Sequence, residues 1–239
     1  METLFGKLAA VTGGTRGIGR AIAERLLREG ASVAICGHTP DSTNRAVAAM
    51  KPLGRVFGHA ADITQVDQVT DFFQAIDREF GGLDILVNNA GEGVFRKVAE
   101  MTPDEWHRNV DLNLNGAFYC SREALARFSK RGGGFIVNIS SLAGKNAFSG
   151  GAAYNASKAG LNLFGEALML DHRNDNVRVC SVMPGSVDTG FGGDSARRQG
   201  DISWMIAPED IAETVALVLR MPPRTMISRI EMRPSKPQK

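Results

Sequence analysis

Cysteine is scarce here. Cys36, Cys120 and Cys180 are three in 239 residues, odd in number and far apart. That pattern supplies no disulfide framework. Cys36 and Cys180 lie in apolar, strand-like runs and read as small buried hydrophobes. No cluster of ligating side chains accompanies them, so no metal site is expected. No apolar run is long enough for a membrane span, and the N-terminus lacks the pattern of a signal peptide. A single charge sign does not dominate either: net charge is +2, and the basic residues are dispersed except at the C-terminus. Neither a nucleic-acid footprint nor a membrane partner is expected. Together these absences place the chain in a reducing cytoplasm. Internal repeats and low-complexity blocks are also missing.

What is present is ordinary globular composition, 43% hydrophobic and 23% charged. Seven apolar runs read as strands: Leu8–Val11, Ser32–Cys36, a segment opening at Val56-Phe57, Asp84–Val87, Phe135–Ile139, Val177–Met183 and Met226–Met232. Six helical segments alternate with them. One carries Val66, Val69, Phe73, Ile76 and Phe80 at helical spacing and stops at Gly81-Gly82. Another opens at Thr102-Pro103-Asp104-Glu105, a threonine N-cap with proline and acids in the first turn. This alternation predicts one α/β domain over residues 1–239, a doubly wound seven-stranded parallel sheet with helices on both faces.

The first strand runs into Thr12-Gly13-Gly14-Thr15-Arg16-Gly17-Ile18-Gly19. Ile18, Ile22 and Leu26 then repeat with helical period. Strand, glycine-rich turn and helix form the context in which such glycines cradle a pyrophosphate. The second strand ends at Cys36, followed by Gly37-His38-Thr39. An acidic residue here would bind a ribose 2′-hydroxyl, and none occurs before Asp41. Arg16, His38 and Thr39 can accommodate a 2′-phosphate, which favours NADP(H) over NAD(H). The turn Asn88-Asn89-Ala90-Gly91 follows the fourth strand. Its asparagines either cap the turn or brace a cofactor ribose and the neighbouring strands. Asn113 sits in mid-helix, where asparagine is disfavoured, so it marks a kink or a role.

The stretch Ser140–Lys158 organises the rest. Ser141 follows a buried strand, at the strand end where ligands bind in parallel sheets. Tyr154 and Lys158 are four apart and project from one helical face. The ammonium is expected to lower the phenol pKa and bring a proton donor towards working pH. Beyond the sixth strand lie Pro184, Gly185, Val187 and Thr189, then a flap at about 189–207. Phe148, Phe191, Trp204 and Met205 are read either as core or as the wall of a partly apolar pocket.

TGGTRGIG at Thr12–Gly19, NNAG at Asn88–Gly91, Asn113, Ser141, Tyr154-x-x-x-Lys158 and Pro184-Gly185 together resemble the short-chain dehydrogenase/reductase family, in the style of its 3-oxoacyl-carrier-protein-reductase-like members. The likeness covers nearly the whole chain. It implies that Tyr154 is the acid–base and that Ser141 binds the substrate carbonyl oxygen. Lys158 would tune Tyr154 and hold the nicotinamide ribose, and Asn113 would hold a water that connects Lys158 to solvent. It further implies that Gly13, Thr15, Arg16, Gly17, Ile18 and Gly19 carry phosphates, with His38 in the place of a second basic residue. Asp62 and Ile63 would contact adenine. Asn89, with Ala90 and Gly91, would face the ribose side. Pro184, Gly185, Val187 and Thr189 would face the carboxamide and phosphate side. Homo-oligomers, tetramer or dimer, are implied through helices around 122–130 and 155–170. Where many members end in a glycine pair after the last strand, this chain has Met232-Arg233-Pro234. The expected activity is hydride transfer between NADP(H) and a small carbonyl or secondary alcohol. The competing readings are an NAD-dependent alcohol dehydrogenase and a non-catalytic NADP sensor.

Overall fold

A computed structural model describes residues 2–191 and 202–237. The strands are β1 Leu8–Thr12, β2 Ser32–Gly37, β3 Val56–Ala60, β4 Ile85–Asn88, β5 Gly134–Ile139, β6 Val177–Pro184 and β7 Arg229–Met232. All pair in parallel in the order β3-β2-β1-β4-β5-β6-β7. The order reverses between β1 and β4, which is where ligands bind in such sheets. The single α/β sheet and its two helical layers are as the sequence predicts.

The seventh strand is shorter than predicted. Met226 to Ser228 stay outside it, because the Val179 N–H donates to the Met226 sulfur (3.5 Å) where a ladder carbonyl would otherwise accept. The helices are α1 Gly17–Arg28, α2 Pro40–Met50, α3 Val66–Phe80, α4 Pro103–Val110, α5 Gly116–Arg131, α6 Ala152–His172 and α7 Pro208–Leu219.

Strand residues alternate between two cores. Val11, Val33, Ile35, Val87 and Val137 meet α1, α2 and α7 on one face. Ala10, Ala34, Leu86 and Ile136 meet α3 and α5 on the other. Each core is closed by the apolar stripe of its helices, Ile22 and Leu26 of α1 or Phe72, Phe73 and Ile76 of α3. All three cysteines are buried and unbridged, as expected of small hydrophobes.

Thr102 caps α4 through a capping box: its hydroxyl accepts from the Glu105 N–H (3.2 Å), and the Glu105 carboxylate accepts from the Thr102 N–H (3.0 Å). Between α4 and α5 the helix widens into one π turn, Asp111–Asn115. The flap expected at 189–207 falls mostly on 192–201, outside the described residues. Its flanks are joined by a parallel bridge between Val187 and Ile206.

Candidate active site

A cleft of about 1230 Å³ opens at the carboxyl ends of β1, β2, β4, β5 and β6. A single ligand pocket commonly measures about 300–1,000 Å³, so this one has room for a dinucleotide and a second molecule.

One half is built on the glycine loop. Gly13 and Gly17 adopt φ of 63° and 56°, in the left-handed region. A Cβ on Gly13 would come within 2.9 Å of the Ala90 Cα. The loop is therefore pressed against the turn after β4. Asn89 fixes that contact by donating to the Thr12 carbonyl (2.9 Å) and the Gly13 carbonyl (3.2 Å). Thr12 answers by accepting from the N–H groups of Asn89 and Ala90 (both 3.0 Å). The Asn89 amide nitrogen thus braces protein backbone, and only the rest of this residue faces the cleft. Asn88 points inward and donates to Ser121 (3.0 Å) and Asn138 (2.9 Å), tying β4 to β5 and α5.

No side chain caps α1, and its first turn holds no acid. Its free N–H groups and positive end dipole face the cleft, a fit for a pyrophosphate. Arg16 and His38 line the cleft as exposed cations or donors. Thr39 is engaged elsewhere: its hydroxyl accepts from the Ser42 N–H (3.3 Å) and caps α2. An acid on Gly37 would not be accommodated, because a Cβ there collides with Thr15 and Thr43. The position that could carry a ribose-binding acid is His38.

Asp62 and Ile63 also line this half. The Asp62 carboxylate accepts from the N–H and hydroxyl of Thr64 (2.9 and 2.8 Å), which closes a tight turn under the cleft. The fit to a dinucleotide therefore rests on α1, the glycine loop and the absence of acid among the described lining residues beside β2.

In the other half, α6 presents Tyr154 and Lys158 from one face. Lys158 is 4% exposed, and its ammonium donates to the Ile139 carbonyl (3.0 Å). It lies 5.9 Å from the centre of the Tyr154 ring. Burial lowers the Lys158 pKa to about 8, since desolvation penalises the charged form. The Tyr154 pKa is raised, first by burial, with a hydrogen bond from Ser141 pulling the other way. The direction is opposite to the expected lowering by Lys158: the ammonium donates to the Ile139 carbonyl, and burial of the phenol sets the shift. Ser141 sits where β5 ends. Its hydroxyl accepts from the Ala143 N–H (3.1 Å), and its single proton is shared between Tyr154 and the Pro184 carbonyl, which lies 3.4 Å away.

Asn113 lies in the π turn and is 1% exposed. Its amide accepts from the Glu92 N–H (3.0 Å) and donates to the Glu92 carbonyl (2.9 Å) and to Ser157 (3.1 Å). Ser157 donates in turn to the Tyr154 carbonyl (2.9 Å). The asparagine thereby locks the turn after β4 to the first turns of α6. Gly91 allows this, because a Cβ there would lie 2.6 Å from the Asn113 Oδ1. π turns recur at functional sites, and here the bulge aims the disfavoured asparagine inward.

Pro184, Gly185, Val187 and Thr189 line the cleft beside Tyr154. The Gly185 N–H donates to the Met232 carbonyl (2.8 Å), so β7 supports this edge. Phe148, Phe191 and Met205 reach the cleft wall, whereas Trp204 is not among the described lining residues. Phe95, Ser157, Glu92 and Arg108 had no signal in the sequence reading. Phe95 and Glu92 fall in an irregular loop without periodicity, and Ser157 could have been found only from its place inside Tyr-x-x-x-Lys.

Among the described residues no helix is long and apolar enough to cross a membrane, and no group of three or more His, Cys, Asp or Glu could hold a metal.

Residues 7–200 match the family model described as short chain dehydrogenase. An uncharacterized oxidoreductase of Staphylococcus aureus is 32% identical over 234 residues, covering 98% of this chain and 100% of that protein. The crystal structure of a metagenomic short-chain oxidoreductase in complex with NADP is 34% identical with a TM-score of 0.86, covering 99% of this chain and 100% of that one. An alcohol dehydrogenase from the archaeon Thermococcus sibiricus, complexed with 5-hydroxy-NADP, is 27% identical with a TM-score of 0.89, covering 98% and 99%.

Proposed function

As this chain belongs to the short chain dehydrogenase family, we propose that it is an NADP(H)-dependent oxidoreductase interconverting a carbonyl compound and its secondary alcohol. The observation that carries this reading is the convergence of Tyr154, Lys158 and Ser141 on a cleft whose far half fits a dinucleotide, with Asn113 buried behind them and bonded to Ser157 of the same helix as Tyr154 and Lys158. Bound nicotinamide supplies the hydride. The protein's own part is position and proton transfer. Tyr154 donates its phenolic proton to the developing alkoxide in reduction and takes it back in oxidation. Ser141 offers its hydroxyl to the same oxygen and stabilises the charge that builds there. Lys158, held by the Ile139 carbonyl, reaches towards the ribose side. Asn113 positions α6 and the turn after β4 around them.

NADP(H) is preferred in this reading because Arg16 and His38 line the cleft and no acid lies beside β2 among the described lining residues. The NADP and 5-hydroxy-NADP held by two matched structures support it. The 3-oxoacyl-carrier-protein-reductase likeness lies in the wording of the motifs, and it bears on cofactor and chemistry more than on substrate. Phe118, Leu163 and Leu170 on α5 and α6 are exposed, which supports a homo-oligomer, dimer or tetramer, built on these helices. Light scattering at micromolar concentration tests that assembly, and a purely monomeric mass contradicts it.

The chemistry is tested by Tyr154→Phe. Ring packing is kept and the proton is lost. NADPH affinity by calorimetry should survive, while turnover falls by about 10²–10⁴-fold or more, the usual contribution of general acid catalysis. A variant that turns over like the wild type removes Tyr154 from the mechanism. A protein that binds NADPH and reduces nothing in a screen of aldehydes, ketones, thioesters, sugars and quinones is instead a sensor.

A further inference from the structure

We propose that the substrate of this site carries a planar aromatic ring, so that the enzyme acts on aryl-bearing ketones or aldehydes; this rests on the oxidoreductase reading above. Three phenylalanines from three separate loops form a wall at Tyr154, two against its ring and the third against Phe95. Phe95 follows β4, Phe148 precedes α6 and Phe191 follows β6. Ring centres of Phe95 and Tyr154 are 5.7 Å apart, those of Phe95 and Phe148 5.6 Å, and those of Tyr154 and Phe191 5.6 Å. Phe95 meets both of its neighbours edge-on, at 62° and 87°.

These rings are not core. Phe95, Phe148 and Phe191 remain 41%, 44% and 41% exposed, and all three line the cleft. A contiguous apolar patch left open inside a polar-rimmed cleft marks a ligand surface.

The wall is built rather than incidental. Phe95 and Phe191 share Gly93 as a bare bed, since a Cβ there would lie 2.6 Å from one ring and 3.0 Å from the other. Phe148 lies on Gly151 in the same way, 2.6 Å from a Cβ. Asn155, inside the Tyr-x-x-x-Lys motif, steadies the Phe148 loop. It donates to the carbonyls of Ala143 and Asn146 and accepts from the Phe148 N–H.

At the mouth, Arg108 is held by Glu92 through two hydrogen bonds of 3.1 and 2.9 Å. Arg96, next to Phe95 in the chain, is paired in the same way with Glu105 (3.0 Å), so neither guanidinium is left to draw an anion and the wall addresses an uncharged ring. Because the phenylalanines present edges as well as faces, a flat ring gains quadrupolar contacts that a puckered aliphatic ring of the same size lacks.

Benzylacetone and its ring-saturated analogue test this. Both carry the same unconjugated methyl ketone on the same spacer, and only the ring differs. With the full chain and saturating NADPH, kcat/KM should favour benzylacetone by on the order of tenfold, each ring pair being worth about 2- to 10-fold. Phe95→Leu, Phe148→Leu and Phe191→Leu keep apolar bulk and should each cut that ratio by about 2- to 10-fold, with NADPH affinity retained as the control for folding. Equal kcat/KM for the two ketones in the wild type, or a ratio that survives in all three variants, overturns the inference. Reduction of an acetoacetyl thioester with neither ring ketone accepted also overturns it, and leaves the oxidoreductase reading standing. Absence of NADPH oxidation with all three carbonyls overturns both.

Discussion

Lys158→Met should make the cofactor-free protein more stable, and the gain should fade as pH rises. Lys158 is buried, and its pKa drops from 10.5 to about 8 on folding. A base whose folded pKa is depressed binds fewer protons in the native state than in the unfolded chain. Its destabilising effect is complete below the folded pKa and is relieved as pH climbs from about 8 towards 10.5. The difference of about 2.5 units corresponds to about 3 kcal/mol at neutral pH. Methionine has similar length and no charge. Its substitution forfeits the hydrogen bond to the Ile139 carbonyl, a loss of about 1 kcal/mol. The net expectation is a gain of about 2 kcal/mol at pH 7 that shrinks by about 2 kcal/mol by pH 9.5. Urea unfolding of both proteins at the two pH values measures it, with equal m-values as the check that the two states are comparable. Other titrating groups cancel in the comparison. A destabilised variant at pH 7, or a gain that does not change with pH, refutes the idea that a desolvated ammonium is held here at a cost to the fold.

Two further expectations concern the phenol and the cofactor. The chain has two tyrosines, so a Tyr119→Phe background isolates Tyr154. Ser141→Ala in that background removes the hydrogen bond that lowers the phenol pKa and leaves burial, which raises it. The tyrosinate absorbance midpoint should therefore move to higher pH, as should the rising limb of alcohol oxidation, which phenolate formation sets; an unmoved midpoint refutes the contact. Arg16→Ala combined with His38→Asp should shift binding from NADPH towards NADH in isothermal titration. An unchanged preference would show that these cleft residues do not read the 2′-phosphate.

Much of the frame was legible because apolar runs and helical stripes report burial directly. Val11, Ile35 and Val137 mark central strands, and Thr102 with Glu105 marks a helix start. Tyr154 and Lys158 share a face because spacing dictates it. Their electrostatics were not legible, since spacing says nothing of depth or of the Ile139 carbonyl opposite. Asn113 was legible as an oddity, though its partners at Glu92 and Ser157 depend on tertiary contact. The aromatic wall was legible only in part for the same reason: Phe148 and Phe191 read either as core or as pocket wall, and Phe95 gave no signal. Phe95, Phe148 and Phe191 are far apart in sequence, and Gly93 and Gly151 become informative only once rings are seen resting on them. The packing at Gly37 was not legible either, because only the folded chain shows that Thr15 and Thr43 fill the space beside it.

The π turn at Asp111–Asn115 sets the phase of the helix that carries Asn113. A π turn is what a helix becomes when one residue is added to it. Each α-helical residue turns the chain by about 100°, so one residue more or fewer here decides which side chain meets Glu92 and Ser157. The reverse step is equally short. Loss of a single codon between Asp111 and Asn115 would leave an uninterrupted helix from Pro103 to Arg131 with its core contacts largely restored, and would swing asparagine away from Glu92 and Ser157. A scaffold that keeps its helices and lacks its working centre is therefore one deletion away.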